Sequence, residues 1–216
     1  MAVGDERVAN LWLADELWKL GAVQFGDFSL GSTAVHSPVY VNLRLLISNP
    51  AAFRRAAEVM QEEVQALQSM RNPRLAPYDL VAGVPFGGLH LATAFSLLSG
   101  KPLIYLHPAK NGEGNVIEGT YQTGQTVLII DDLITGGRSI QQTAARLEDE
   151  GLLVEDALVL IDRQQGGREH LQRDGVNLVA ILTLEAVLHY LGSSQKISKE
   201  WYHRSMEYLE RQRSGR

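Results

Sequence analysis

The chain has 216 residues, of which 45% are hydrophobic and 21% charged, a balance typical of a globular domain with enough apolar material for a core. Its net charge of -5 argues against a nucleic-acid-coating surface, and the absence of cysteine excludes a disulfide framework and a thiolate metal site. The N-terminus lacks the pattern of a signal peptide, and no run approaches the roughly 20 apolar residues that span a bilayer. We therefore expect a cytoplasmic protein without membrane segments.

The N-terminal part of the chain predicts two helices on either side of a strand-forming segment. Residues 5–20 place apolar side chains near one helical face and end at Gly21. Residues 25–44 contain SPVYVNLR, which alternates like a strand. Residues 51–70 follow the 3.6-residue period of an amphipathic helix and end at Asn72 and Pro73.

From residue 80 onward, short apolar runs alternate with helices. The runs cover 80–84, 102–106, 126–130, 157–161 and 178–182, and helices are predicted at 89–98 and 139–150. Strands that are apolar on both faces and separated by helices indicate an α/β fold with a central, mainly parallel sheet flanked by helices. Residues 108–124 have no hydrophobic period and are interpreted as a long loop.

The domain organisation is predicted to be simple. Residues 1–192 are expected to form one domain, with no internal repeat and no linker. Residues 193–216 form a polar tail that we expect to be helical, with Ile197, Trp201 and Leu209 as candidate docking points.

The segment VLIIDDLITGGRS, residues 127–139, has the pattern of a phosphate site. Its two glycines let the backbone approach a ligand closely, and successive N–H groups at the start of a helix attract an anion. Thr135 and Ser139 add hydroxyl donors. The pattern is neither a Walker loop nor a dinucleotide GxGxxG. The simpler alternative is a strand–loop–helix crossover without a ligand.

Two acids, Asp131 and Asp132, precede this turn by about one sugar-length. Carboxylates can accept hydrogen bonds from ribose hydroxyls, favour positive charge on a sugar ring, or help hold Mg²⁺ through water. If the turn is only a crossover, the same acids merely cap the helix. The histidines show no spacing that suggests a direct metal site.

Five segments resemble type I phosphoribosyltransferases, and among them the orotate phosphoribosyltransferases, including that half of UMP synthases. Residues 127–139 are similar to the signature for phosphoribosyl pyrophosphate (PRPP). The others are FGDFSLGSTAVHSPVYVNLR (25–44), GVPFGGLHLAT (83–93), NGEGNVIEG (111–119) and LIDRQQGGREHL (160–171), which resemble the substrate segment, the pyrophosphate loop, the flexible catalytic loop and the orotate-binding segment. The resemblance covers about residues 20–191. It implies the Rossmann-like phosphoribosyltransferase fold, a small N-terminal hood lobe at about 20–50, and a homodimer.

The resemblance also implies a reaction and its residues. Orotate would displace pyrophosphate from PRPP, giving orotidine 5'-monophosphate in pyrimidine nucleotide biosynthesis, with Mg²⁺ held through substrate and water. The implied roles are 5-phosphate binding by Thr135, Gly136, Gly137, Arg138 and Ser139; ribose binding by Asp131 and Asp132; pyrophosphate and Mg²⁺ contacts by Val84, Pro85, Phe86 and Gly87; orotate contacts by Tyr40 and Arg163; and loop catalysis by Lys110. Three of these have simpler alternatives: Tyr40 and Phe86 as core aromatics, and Arg163 as a solvated charge at a strand end.

The chain departs from the family where cations are expected. Gly31 stands at the position of a lysine, and His107 and Pro108 stand where arginine and lysine are expected, which leaves Lys110 as the loop lysine. Each missing charge-assisted hydrogen bond would reduce the stabilisation of the pyrophosphate by about 1.5–3 kcal/mol. The alternative function is therefore a catalytically impaired protein that binds PRPP or a nucleotide as a sensor or partner subunit.

Overall fold

A computed structural model describes residues 10–30, 34–108 and 115–214 of the chain. In chain order its elements are α1 (Leu11–Lys19), β1 (Val23–Leu30), β2 (Ala34–Val41), a 3₁₀ helix (Leu43–Ser48), α2 (Pro50–Ser69), β3 (Leu80–Gly83), α3 (Gly87–Ser99), β4 (Leu103–Pro108), β5 (Asn115–Glu118), β6 (Thr126–Ile134), α4 (Arg138–Asp149), β7 (Leu153–Asp162), α5 (Gly167–Arg173), β8 (Asn177–Thr183), α6 (Leu184–Ser193) and α7 (Lys199–Ser214). The helix predicted at 5–20 is confirmed from Leu11 to Lys19, and its first residues lie outside the described part.

The main sheet has six strands in the order β5-β4-β3-β6-β7-β8, and β1 and β2 form a separate antiparallel hairpin. Pairing is parallel throughout the sheet except between β4 and β5. The predicted α/β fold with a mainly parallel central sheet is confirmed.

Both faces of the sheet are buried, which explains why its strands read as continuous apolar runs. Neighbouring residues along β6 pack into different cores: Leu128 belongs to the core that α1, α2 and α6 cover, and Ile129 to the core that α4 covers. Both side chains are fully buried. A strand sandwiched between two layers of helices therefore has no polar face.

Strand β6 continues four residues beyond the predicted run of 126–130. The acids do not end it, because the backbone keeps its pairing with β7: Asp131 lies opposite Val159 and Leu133 opposite Ile161. The strand therefore carries both acids to its carboxyl end, where they face the open edge above the sheet.

The interpretation of residues 108–124 as one long loop is wrong in part. Asn115–Glu118 forms an edge strand that pairs antiparallel with β4, with His107 opposite Val116 and Tyr105 opposite Glu118. Among residues 116–118, only Ile117 is buried, so this short strand leaves no period that a sequence window can detect. Residues 109–114, which include Lys110, lie outside the described part.

The C-terminal helix α7 packs against α6 and the hairpin strand β2. Leu209 is fully buried, Ile197 is partly buried against the core, and the Trp201 ring lies 5.9 Å from that of Phe25. The helix therefore supports the hairpin from behind. Within the described ranges, no helix is long and apolar enough to cross a membrane.

Candidate active site

A cavity of about 410 Å³ opens at the carboxyl ends of β3, β6 and β7, under the β1–β2 hairpin. This edge of a parallel sheet is where open α/β folds bind ligands. The predicted site residues that line it are Tyr40, Val84, Pro85, Gly87, Asp131, Asp132, Thr135, Gly136, Gly137, Arg138, Ser139 and Arg163. Segments distant in the sequence thus meet in one place.

Of the predicted site residues that the structure describes, Phe86 is the one that does not line this cavity. The side chain of Phe86 is 75% exposed and lies outside both cavity and core, so its interpretation as a core aromatic is wrong. Lys110 lies outside the described residues, and its role stays a prediction.

The turn between β6 and α4 is held from behind by α5. The carbonyl oxygen of Thr135 accepts a hydrogen bond from the backbone N–H of Gly167 at 3.0 Å, and that of Gly136 accepts one from Nδ1 of His170 at 2.8 Å. In a trans peptide the N–H points opposite to the C=O. The N–H groups of Gly136 and Gly137 are therefore turned away from α5 and towards the cavity.

The backbone of this turn requires glycine at one position. Gly137 has φ +86°, in the left-handed region that other residues adopt only at a cost. Directly after it, α4 begins at Arg138 with free N–H groups and the positive end of its dipole. The turn therefore combines oriented donors with a favourable field for an anion.

The acid pair lies in a low-dielectric setting. Asp131 is buried and its Oδ1 accepts the backbone N–H of Asp132 at 2.8 Å. Burial raises the pKa of Asp131 well above its ordinary value, and the neighbouring charge of Asp132 raises it further. Burial also raises the pKa of Asp132, although its hydrogen bond with Asp131 and the positive charge of Arg44 oppose the rise. Hydroxyl donors or a cation in the cavity would stabilise the charged form of both carboxylates.

The start of α3 touches these acids directly. A Cβ atom at Gly87 would lie 2.5 Å from Cγ of Asp132, closer than atoms can approach. Any larger residue at this position would require the carboxylate to shift from its place. The start of α3 and the acid pair thus pack closely together at the sheet edge.

Arg163 is a buried cation, so its interpretation as a solvated strand-end charge is wrong. It is 2% exposed, and its Nη2 donates to Oγ of Ser37 at 3.0 Å and to the carbonyl oxygen of Val39 at 3.3 Å. Its Nε is buried without a partner among the described residues. Burial lowers the pKa of the guanidinium. An unsatisfied buried cation on a cavity wall favours an anionic ligand.

Tyr40 forms the hairpin side of the cavity. Its ring stands 5.6 Å from that of Phe28, and its hydroxyl accepts a hydrogen bond from Nη2 of Arg44 at 3.4 Å. Tyr40 is only half-buried, and it lines the cavity rather than the core. The hairpin therefore offers an aromatic wall beside Arg163.

Sequence reasoning missed three residues that shape the site: Asn42, Arg44 and His170. Asn42 and Arg44 line the cavity, and His170 fixes the turn. Arg44 follows the strand-like SPVYVNL pattern, which predicts backbone structure and gives no sign that the next charge faces a ligand. His170 lies on a short helix, and its contact with Gly136 joins residues 34 positions apart.

The described residues contain no cluster of three or more His, Cys, Asp or Glu side chains that could bind a metal by themselves. Two carboxylates do line the cavity. Mg²⁺ usually keeps several waters and binds one or two carboxylates together with substrate phosphates. The residues present therefore fit a Mg²⁺ ion that arrives with a phosphorylated substrate, and they do not form a direct metal site.

Comparisons with known proteins identify relatives of this chain. It is 34% identical over 197 residues to the orotate phosphoribosyltransferase of Caenorhabditis elegans, which covers 90% of this chain and 83% of that protein. The orotate phosphoribosyltransferase structure from Aeropyrum pernix has a TM-score of 0.71 and 36% identity, covering 83% of this chain and 99% of that one. No protein-family model matches the chain.

A longer structural relative is the UMP synthase of Leishmania donovani. It has a TM-score of 0.82 and 31% identity, covering 95% of this chain and 43% of that one. The chain thus spans less than half the length of that protein.

Proposed function

Because the chain belongs to the orotate phosphoribosyltransferase family, we propose that it transfers the 5-phosphoribosyl group of PRPP to orotate, giving orotidine 5'-monophosphate and pyrophosphate in pyrimidine nucleotide biosynthesis. Such a protein is a pentosyltransferase, a class of glycosyltransferase. The observation that carries the proposal is one cavity in which an anion-binding turn, a pair of acids and a buried arginine meet. These three features match a substrate with a phosphate, a ribose and a carboxylate-bearing base.

The phosphate and the ribose are held by neighbouring parts of the cavity. The N–H groups of Gly136 and Gly137, with the hydroxyls of Thr135 and Ser139, hold the 5-phosphate. Asp131 and Asp132 accept hydrogen bonds from the ribose hydroxyls and favour the positive charge that develops on the sugar ring. Holding both ends of the sugar converts the encounter with orotate into a reaction between oriented groups.

The base is held on the opposite wall. Arg163 offers its guanidinium to the orotate carboxylate, and the pair forms in a buried setting where charge-assisted hydrogen bonds are strong. Tyr40 borders the ring. Val84, Pro85, Phe86 and Gly87 form the loop beside the acids and offer backbone groups to the pyrophosphate.

Mg²⁺ and Lys110 belong to the same proposal. Bound through the substrate and water, Mg²⁺ would neutralise part of the pyrophosphate charge. Lys110 would add a cation from the loop. The alternative of an impaired sensor gains no support from the comparisons, since the relatives carry the names of enzymes.

A homodimer in the cytoplasm completes the proposal. Support for the dimer comes from α3 and the residue before it: Phe86, which precedes the helix, is 75% exposed, Leu97 on the helix is 82% exposed, and His90 is exposed as well. Large apolar side chains left in solvent along one element favour a protein contact. The cytoplasmic location rests on the proposed reaction.

The test is a direct assay. Purified protein with Mg²⁺, PRPP and orotate should consume the orotate absorbance, and uracil and purine bases serve as specificity controls. If no base is used, while PRPP or a nucleotide monophosphate still raises the melting temperature, the chain binds but does not catalyse.

A further inference from the structure

We propose that Arg44 binds the pyrophosphate group of the substrate and product, an inference that rests on the proposed function. Three arginines and no lysine belong to the described wall of the cavity: Arg44, Arg138 and Arg163. Arg138 starts α4 at the phosphate turn, and Arg163 is tied to the hairpin. Arg44 has neither of these roles, and its position and hydrogen-bond partners allow it to bind a third anionic group.

The backbone at Arg44 is firmly anchored. Its neighbour Leu43 and the next-turn residue Leu46 are 4% and 1% exposed, so the 3₁₀ helix is pinned into the core on one side. This helix contacts α2, α3 and β6. The guanidinium, on the other side, is exposed at the cavity wall. The fixed backbone limits the entropy lost when this side chain binds a ligand.

The guanidinium is oriented by neutral groups. Its Nε donates to Oδ1 of Asn42 at 3.2 Å, and its Nη2 donates to the hydroxyl of Tyr40 at 3.4 Å. Within the described ranges, no carboxylate lies within 4 Å of Arg44, whereas Arg54 and Arg55 are both paired with glutamates on α2. Arg44 therefore keeps its charge for a ligand, and its remaining N–H groups can form a fork on phosphate oxygens.

Its location points to the pyrophosphate rather than the 5-phosphate. The charge of Arg44 acts on Asp132, the acid that packs against Gly87 at the start of α3. The 3₁₀ helix that carries Arg44 also touches α3 itself. Arg44 thus belongs to the end of the cavity formed by the acids and residues 84–87, where the leaving group lies in the proposed reaction.

Charge balance makes a cation necessary at this end. Two carboxylates and a pyrophosphate would repel each other in a partly buried cavity. The end of β4, which reads LHP at residues 106–108, contributes no lysine or arginine. A cation from the hairpin side offsets this repulsion and can stabilise the charge that builds up on the leaving pyrophosphate.

The experiment compares two ligands that share the site but differ in the group that Arg44 contacts. Isothermal titration calorimetry measures inorganic pyrophosphate with Mg²⁺, and separately orotidine 5'-monophosphate, which carries no pyrophosphate. For Arg44→Ala we expect pyrophosphate affinity to fall about 10- to 100-fold. Affinity for the nucleotide should change less than about two-fold, and Arg44→Lys should lie between wild type and alanine.

The matched control is Arg54→Ala, an exposed arginine paired with Glu58 on α2, away from the cavity. It should bind both ligands as the wild type does. Thermal unfolding checks that each variant is folded.

Each other outcome has a defined meaning. Unchanged pyrophosphate affinity in Arg44→Ala overturns the assignment, and so does an equal loss for both ligands. A wild-type protein that binds neither ligand instead contradicts the proposed function itself.

Discussion

His170 donates a hydrogen bond from Nδ1 to the carbonyl oxygen of Gly136, 2.8 Å away, and so fixes the turn that faces the cavity. With the bond from Gly167 to Thr135, it holds two successive peptide groups with their N–H ends towards the ligand side. The orientation of the anion site therefore depends on α5 as well as on the turn itself.

The first prediction concerns this bond. His170→Ala should weaken binding of orotidine 5'-monophosphate and raise the KM for PRPP about 2- to 10-fold, the effect of removing one hydrogen bond, with a smaller effect on kcat. His170→Asn can place an amide N–H near the same carbonyl and should restore much of the affinity. Pyrophosphate binding is the internal control and should stay constant. Nucleotide binding that is as tight in the alanine variant as in wild type would contradict this role.

The second prediction concerns the buried acid. In the interval between the unfolded pKa of about 3.9 and the raised folded pKa of Asp131, the folded protein binds more protons, so its free energy of unfolding falls as pH rises. Asp131→Asn removes this penalty and keeps an acceptor for the N–H of Asp132. At pH 7 we expect its melting temperature to exceed that of wild type by about 2–4 °C, the shift for 1 kcal/mol in a domain of this size.

The pH series provides the check on Asp131. The difference in melting temperature between Asp131→Asn and wild type should shrink towards zero near pH 4, because the wild-type carboxyl is then protonated. Calorimetry should also show weaker nucleotide binding, since a ribose acceptor is removed. If the variant were less stable than wild type at neutral pH, the buried charge of Asp131 would not be destabilising the folded protein.

The third prediction separates the base from the sugar phosphate. Arg163→Met should lower kcat/KM for orotate by at least about 30-fold, because the orotate carboxylate is deprived of its buried partner. Stability should change little, since a methionine avoids the cost of burying a cation. Pyrophosphate binding is the matched readout and should be preserved. An unchanged KM for orotate would show that the carboxylate binds elsewhere.

The fourth prediction tests the close packing of the start of α3 on the acids. Gly87→Ala places a Cβ atom against the carboxylate of Asp132 and should displace it, which we expect to reduce turnover by about 100-fold. Thr93→Ala, on the exposed face of the same helix, is the control and should be nearly neutral. Full activity in Gly87→Ala would mean that the position of Asp132 is unimportant.

The fold could be predicted from the sequence because its strands are apolar on both faces and its helices are amphipathic. The edge strand β5 could not, since one buried residue among 116–118, Ile117, gives no period. Strand β6 extends past its apolar run because pairing with β7 outweighs the low strand preference of aspartate.

For the site, the turn and the acids form a local pattern that is visible in the sequence alone. The environment of Arg163 was beyond prediction, because its partner Ser37 is 126 residues away. His170 was missed for the same physical reason, since its partner Gly136 is 34 residues away. Arg44 has local partners, but its place on the cavity wall depends on the tertiary fold, which composition and spacing do not encode.

A crystal structure with orotidine 5'-monophosphate bound would test the phosphate site without any intervening assumption. We expect phosphate oxygens about 2.7–3.2 Å from the backbone nitrogens of Gly136 and Gly137, with the ribose hydroxyls on Asp131 and Asp132. A phosphate bound outside this turn, with those amides facing solvent, would refute the proposed site.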